Sequence, residues 1–231
     1  SLPFGQLTSV NYRGTTYNSG NPGPSGWTQS GVETDFGVRF NITSGPSQSA
    51  AISADVQDAI DDGVVIIGAA GNDNLVIADP NDSDWNNTIT WNYDGSPRTR
   101  YYMRGAWPNS PDNDSIIVGA LNNTHTFTRT TFSMHGPGVD VFAPGQRIVS
   151  CYGSGGLNDT KYSAGSSNRY FTLNGTSMAS PQVAGVVATL ATAKYRFTNS
   201  DVKGYLQRHS KDNDMTFDSG TGSYDDNTSQ L

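Results

Sequence analysis

Residues Val64-Val65-Ile66-Ile67-Gly68-Ala69-Ala70 form an unbroken apolar run, and no other stretch limits more tightly what this chain can fold into. A strand with one wet face alternates apolar and polar residues. A run apolar at every position belongs in a buried parallel strand, covered on both faces. Parallel neighbours need a crossover, and the preceding residues supply one. Ala51, Ile52, Val56, Ala59 and Ile60 recur at helical spacing between Gln48 and Asp61, and Gly63 then stops the helix. Helix, tight glycine turn and buried strand make half of a βαβ unit.

The pattern continues downstream. Ser115 to Ala120 is a second candidate for a buried strand, and Val139 to Gly145 is a short strand closed by a turn. Ser177 to about Tyr195 is predicted as a long helix with Val183, Val186, Val187 and Leu190 on one side. Ser200 to His209 is predicted as another, carrying Val202, Tyr205 and Leu206. Residues 1–48 look irregular around the Gly20–Gly26 turn cluster, with a candidate strand at Leu7–Tyr12. Residues 74–113 are polar, turn-rich and contain Trp85, Trp91 and Trp107, which predicts a long surface excursion with a few hairpin strands. Residues 153–169 are rich in Gly and Ser, the tail from Lys211 is polar, and no internal repeat occurs. The expected fold is one α/β domain over 1–231, a doubly wound, mostly parallel sheet with helices on both faces.

Composition removes several function classes. Lys and Arg total 14 against 21 Asp and Glu, a formal charge of −7. Such a surface is a poor partner for nucleic acid or an anionic membrane, which reward clustered cations. No stretch reaches the roughly 20 apolar residues of a membrane span. A single cysteine, Cys151, excludes an internal disulfide and a cysteine-cluster metal site.

Chemistry concentrates at Asn174-Gly175-Thr176-Ser177-Met178-Ala179-Ser180-Pro181. A serine hydroxyl must be placed and activated before it attacks a carbonyl. Small residues on both sides leave space around Ser177, and Pro181 is expected in the first helical turn, where its missing N–H costs nothing. Ser177 then sits at a helix N-terminus, whose unpaired N–H groups favour the negative charge that develops in acyl transfer. Serine before a helix is also an ordinary N-cap, so a bare Thr-Ser pair would carry no such meaning.

The longer string from Gly175 to Gly185 resembles the serine motif of the subtilisin-like peptidases. Ala69-Ala70-Gly71-Asn72 resembles the same family's oxyanion-hole motif. The resemblance covers roughly residues 50–210, including Ile116–Ala120 and Val139–Gly145, with 74–113 as an enlarged insertion. It implies that Ser177 is the nucleophile, that Asn72 donates to the oxyanion, and that the substrate is a peptide or protein. It also implies that Gly71 and the stretch Tyr12, Arg13 and Gly14 bind substrate. In the family a small residue and a glycine-containing strand edge follow that first strand and pair with the peptide. Arg13 stands in that stretch here, and an acidic substrate side chain would suit it. Gln182 occupies a position where many members carry histidine, outside the triad.

The family's aspartate and histidine motifs, which precede the serine motif, are absent. Of the histidines present, His135 lies in a stretch that matches a structural loop, while His125 and His209 are expected at the surface. The missing pair is expected on an N-terminal segment or separate chain, since a chain beginning at Ser1 is read as internal to a longer product, its fold lacking the N-terminal strands. The alternative is a catalytically inactive structural or binding subunit. Ala193-Lys194-Tyr195-Arg196-Phe197-Thr198 loosely resembles subtilase-like proteins of tailed phages, which would make the chain virion-associated rather than extracellular. No cofactor is implied for catalysis. A structural Ca²⁺ ion is compatible with family habit and with the oxygen-rich loop Asp79–Asp84.

Overall fold

The computed structural model describes residues 2–41, 49–105, 110–123, 128–151, 170–191, 197–210 and, for the backbone, 216–217. The eleven strands in these residues are β1 (Leu7–Tyr12), β2 (Thr15–Tyr17), β3 (Ile67–Ala69), β4 (Thr88–Tyr93), β5 (Ser96–Tyr101), β6 (Ile116–Leu121), β7 (Thr128–Arg129), β8 (Val141–Pro144), β9 (Ile148–Cys151), β10 (Tyr170–Leu173) and β11 (Thr216–Phe217). The helices are α1 (Gln29–Phe36), α2 (Ala50–Asp61), α3 (Thr176–Leu190) and α4 (Asn199–His209).

The α/β expectation holds. β6 is buried at every position and runs parallel to β3 on one side and to β8 on the other. Its residues divide by parity. Ile116, Val118 and Ala120 join Val141 and Ala143 against Ala179, Val183 and Val187 of α3 and Val202 and Leu206 of α4. Ile117, Leu121 and Phe142 face the other way, onto Leu75, Ile77, Met134 and Val139. A strand apolar on both faces is what this two-sided cover requires. Asp140 ties the layers at one end, accepting the Ile117 N–H at 2.8 Å and meeting Lys203 of α4 at 3.0 Å.

β3 is shorter than the apolar run that contains it. Val64 is 49% exposed, and Ile67 and Ala69 are half-buried. β3 ends the row of strands, with β6 on one side and no strand on the other among the described residues. The first residues of the run are therefore a connection rather than ladder.

A second sheet, antiparallel in the order β2-β1-β4-β5, was not expected in this form. It puts Leu7, Val10 and Ile89 into a core with Val32 and Phe36 of α1, Val38, Phe40, Trp85, Tyr102 and Met103. Residues 74–113 thus contain the expected hairpin, as β4 and β5, but also bury core residues rather than only crossing the surface. The helix α1 was missed, although its signals are local. The Thr28 hydroxyl accepts the Gly31 N–H, Val32 and Phe36 lie on one face, and Gly37 ends the helix at φ 66°. Residues 75–78 join the two cores by alternation: Leu75 and Ile77 enter the parallel-sheet core, Val76 and Ala78 the antiparallel one. An extended segment has this period of two, so one stretch serves both layers.

Candidate active site

The Ser177 turn is held from beneath by residues more than a hundred positions away. Gly175, the N-cap of α3, has no side chain to offer the helix. Asn72, just beyond β3, replaces it. The Asn72 Oδ1 accepts the Thr176 N–H at 2.9 Å and the Thr176 hydroxyl at 3.1 Å. Thr176 Oγ1 in turn accepts the Gly71 N–H at 3.1 Å. Thr176 is fully buried, so this small network is shielded.

The network fixes which way the Asn72 amide faces. With Oδ1 occupied by two donors, Nδ2 must point elsewhere, and it lies 3.5 Å from where a Cβ on Gly175 would stand. The Ser177 N–H is second in α3 and, like Asn72 Nδ2, has no acceptor among the described residues. Asn72 and Ser177 are both exposed. Unoccupied N–H donors at the positive end of a helix suit a developing negative charge.

Glycine is required at two points. Gly71 has φ 116°, and a Cβ there would meet Met134 Sδ at 2.6 Å. Gly175 has φ 154° and ψ 159°, and its N–H donates to the Gly145 carbonyl at 2.8 Å, anchoring the turn to the end of β8. Gln182 adds a second tie, donating through Nε2 to the Pro144 carbonyl and to the Met178 carbonyl at 2.9 Å. Pro181 does not occupy the first turn as expected. α3 begins at Thr176, which puts Pro181 inside the helix and leaves the Ser177 carbonyl without its helical donor.

The other residues expected to bind substrate are elsewhere. Arg13 and Gly14 have φ 51° and 83° and make the two-residue turn between β1 and β2, with Tyr12 paired to Thr15. β1 has β2 on one side and β4 on the other, so it offers no open edge to a peptide. The Arg13 guanidinium grips Asp84 with Nε and Nη2 at 2.7 and 2.8 Å, and its N–H donates to Asn87 Oδ1 at 2.7 Å. The Tyr12 ring packs 5.6 Å from Phe36. These contacts build the antiparallel sheet; of the expected site residues, the network joins Gly71 and Asn72 through Thr176, the residue before Ser177. Sequence reasoning passed over Thr176, although it lies inside the motif.

Ser177 Oγ has no hydrogen-bond partner, and so no base bonded to it, among the described residues. His135 is 6% exposed and its backbone is bound to Leu75 and Ile77. Burial above all, with the Arg129 charge second, pushes its pKa down to about 3, so it is neutral. The His209 ring packs against Tyr205 at the end of α4. His125 lies outside the described residues, as does most of Ala193–Thr198.

The Asp79–Asp84 loop uses its carboxylates internally. Asp79 accepts from Asn81, Asp82 accepts the Asp79 N–H, and Asp84 holds Arg13 and Asn87. Burial raises the Asp84 pKa, but the bonds from Arg13 and Asn87 and the Arg13 charge outweigh it and leave the carboxyl below its usual range. Among the described residues no group of three or more His, Cys, Asp or Glu side chains could hold a metal ion.

The profile of the peptidase S8 subtilase family matches residues 16–223, and the chain belongs to that family. It is 29% identical over 189 residues to subtilisin amylosacchariticus of Bacillus subtilis subsp. amylosacchariticus, covering 80% of this chain and 39% of that protein. It is 28% identical to the subtilisin of Bacillus pumilus, covering 87% of this chain and 60% of that one. Among solved structures, a cold-adapted subtilisin-like serine proteinase superposes with a TM-score of 0.50 at 29% identity, over 87% of this chain and 60% of the other. The chain thus spans between about 39% and 60% of these relatives' lengths.

Proposed function

We propose that this chain is the serine-bearing part of a subtilisin-like endopeptidase. The observation that carries the reading is the pair of unoccupied donors, Asn72 Nδ2 and the Ser177 N–H, beside an exposed Ser177 hydroxyl. In the reaction Ser177 Oγ attacks the scissile carbonyl carbon while a base takes its proton. The carbonyl oxygen gains the charge and is met by the two donors. Collapse expels the amine, which takes the proton back, and water then releases the acyl group by the same route.

The base and its aspartate would come from a segment or chain outside this sequence. Two surfaces support such a neighbour. No charged side chain occurs from Thr176 to Ala191. Yet the outward residues of α3, including Ala184, Gly185, Val186 and Ala188, are exposed, and the space over Gly185 is open. A helix face on the surface normally carries charge, so an uncharged one leading from the nucleophile suits a covered position. The apolar strand β3 likewise ends its sheet with an unpaired side among the described residues. An assembly of this kind is expected outside the cell; among the described residues no helix is long and apolar enough to cross a membrane.

A fluorophosphonate probe applied to the native assembly is expected to label Ser177 and to fail on the Ser177→Ala variant. A folded native assembly that takes up no probe would sink the peptidase reading and leave the inactive structural subunit in its place.

A further inference from the structure

The outer half of the antiparallel sheet carries a feature that peptide hydrolysis at Ser177 does not use. Among the described residues β5 is the last strand of its sheet, and five of its six residues are exposed. Asp94 and Gly95, at φ 50° and 77°, close the β4–β5 hairpin as a two-residue turn. Such a turn makes Tyr93 and Ser96 a hydrogen-bonded pair, and the alternation of an antiparallel ladder then turns the backbone groups of Thr99 and Tyr101 away from β4. The hydroxyls of Thr90 and Thr99, 2.8 Å apart, mark their residues as the closer, non-hydrogen-bonded kind of pair. Pro97 also faces outward and has no N–H to offer, so only a short stretch of the edge can pair.

The side chains above this edge share one face. Trp91 lies opposite Arg98, and Tyr93 opposite Ser96. The Arg100 guanidinium stands 5.1 Å over the Trp91 ring, and its Nε is buried with no hydrogen-bond partner. Neither Arg98 nor Arg100 meets a carboxylate among the described residues, although acidic residues outnumber basic ones by 21 to 14. Two uncompensated arginines two residues apart on an open strand edge select their partner. A second copy pairing through the same edge would set arginine near arginine. The acidic chain as a whole repels nucleic acid.

We propose that the β5 edge binds a short extended segment of a partner polypeptide bearing carboxylates at alternate positions, with the acidic side chains taken by Arg98 and Arg100 and the backbone by Thr99 and Tyr101. The spacing follows from the strand period: side chains two apart on the added strand fall on the arginine face. Trp91 and Tyr93 provide the flat apolar floor beside the carboxylates.

The test uses the full chain and two synthetic peptides, acetyl-Thr-Glu-Val-Glu-Thr-amide and its counterpart with both Glu replaced by Gln. Amide shifts are followed by NMR at low salt. The glutamate peptide is expected to bind and to move the Thr99 and Tyr101 amides. The glutamine peptide should bind roughly tenfold more weakly or not at all. Arg98→Gln, at an exposed position that leaves the core intact, should cost a similar factor, while Arg98→Lys recovers part of it. Equal binding of the two peptides, no effect of Arg98→Gln, or shifts confined to other strands would overturn the proposal. So would a single-stranded oligonucleotide that binds these arginines more tightly than the glutamate peptide.

Discussion

Replacing Thr176 by valine separates the hydroxyl from the shape of the side chain. Valine keeps the volume and the buried methyl, and the backbone N–H of residue 176 still reaches Asn72. The hydroxyl's two bonds are lost, one donated to Asn72 at 3.1 Å and one accepted from Gly71 at 3.1 Å. The Gly71 N–H is left beneath the turn without an acceptor, which costs about 1–3 kcal/mol. The lost bond to Asn72 adds about 0.5–1.5 kcal/mol, offset in part by the extra buried methyl. A net loss of about 1–3 kcal/mol follows, or about 0.5–1.5 M in the urea midpoint at a slope near 2 kcal/mol per molar. Thr176→Ser makes the opposite cut: it keeps both bonds and gives up a buried methyl, at about 1 kcal/mol. The two variants therefore cost comparable stability but differ at the site. With only one donor left on Oδ1, the Asn72 amide turns more freely in Thr176→Val. Fluorophosphonate labelling of Ser177 in the native assembly should slow in that variant and hold in Thr176→Ser. Equal labelling rates for the two variants would refute the idea that Thr176 orients Asn72.

Three further outcomes follow from particular residues. His135 is held neutral in the folded state, with its pKa lowered from 6.5 to about 3. Unfolded chain therefore binds a proton that folded chain does not, and stability should fall as pH drops from about 6.5 toward 3; His135→Gln should flatten that part of a urea-midpoint profile. Asp84 works at lower pH, since its depressed pKa lends stability that is complete above 3.8 and is lost on further acidification. Asp84→Asn should remove that acid dependence and loosen the Arg13 turn, seen as faster amide exchange at Tyr12 and Thr15. Gly71→Ala combines a conformation reserved for glycine with a collision against the buried Met134 sulfur. It is expected to cost about 2–4 kcal/mol, and a urea midpoint matching the parent protein would show that the turn relaxes.

Local sequence determined the elements whose partners are also local or whose chemistry is packed into one string. The apolar run at β6, the α4 helix with its Thr198–Asp201 capping box, and the Gly175–Ser177 turn all follow from periodicity, capping and residue size. Even α1 was present in the sequence, in the spacing of Thr28, Val32, Phe36 and Gly37. What the sequence could not contain is the choice of neighbour. β1 has an ordinary strand pattern and a local hairpin partner in β2, yet only its pairing with β4, some eighty residues on, closes its second edge. The alternation of residues 75–78 has meaning only once a core lies on each side. The site shows the same division. Asn72 and Ser177 were legible as types of residue in motifs, but the direction of the Asn72 amide is set by Thr176, 104 positions away, through bonds that exist only after the sheet and α3 have packed. Periodicity is written along the chain, whereas hydrogen-bond partners and packing depend on distances that folding alone creates.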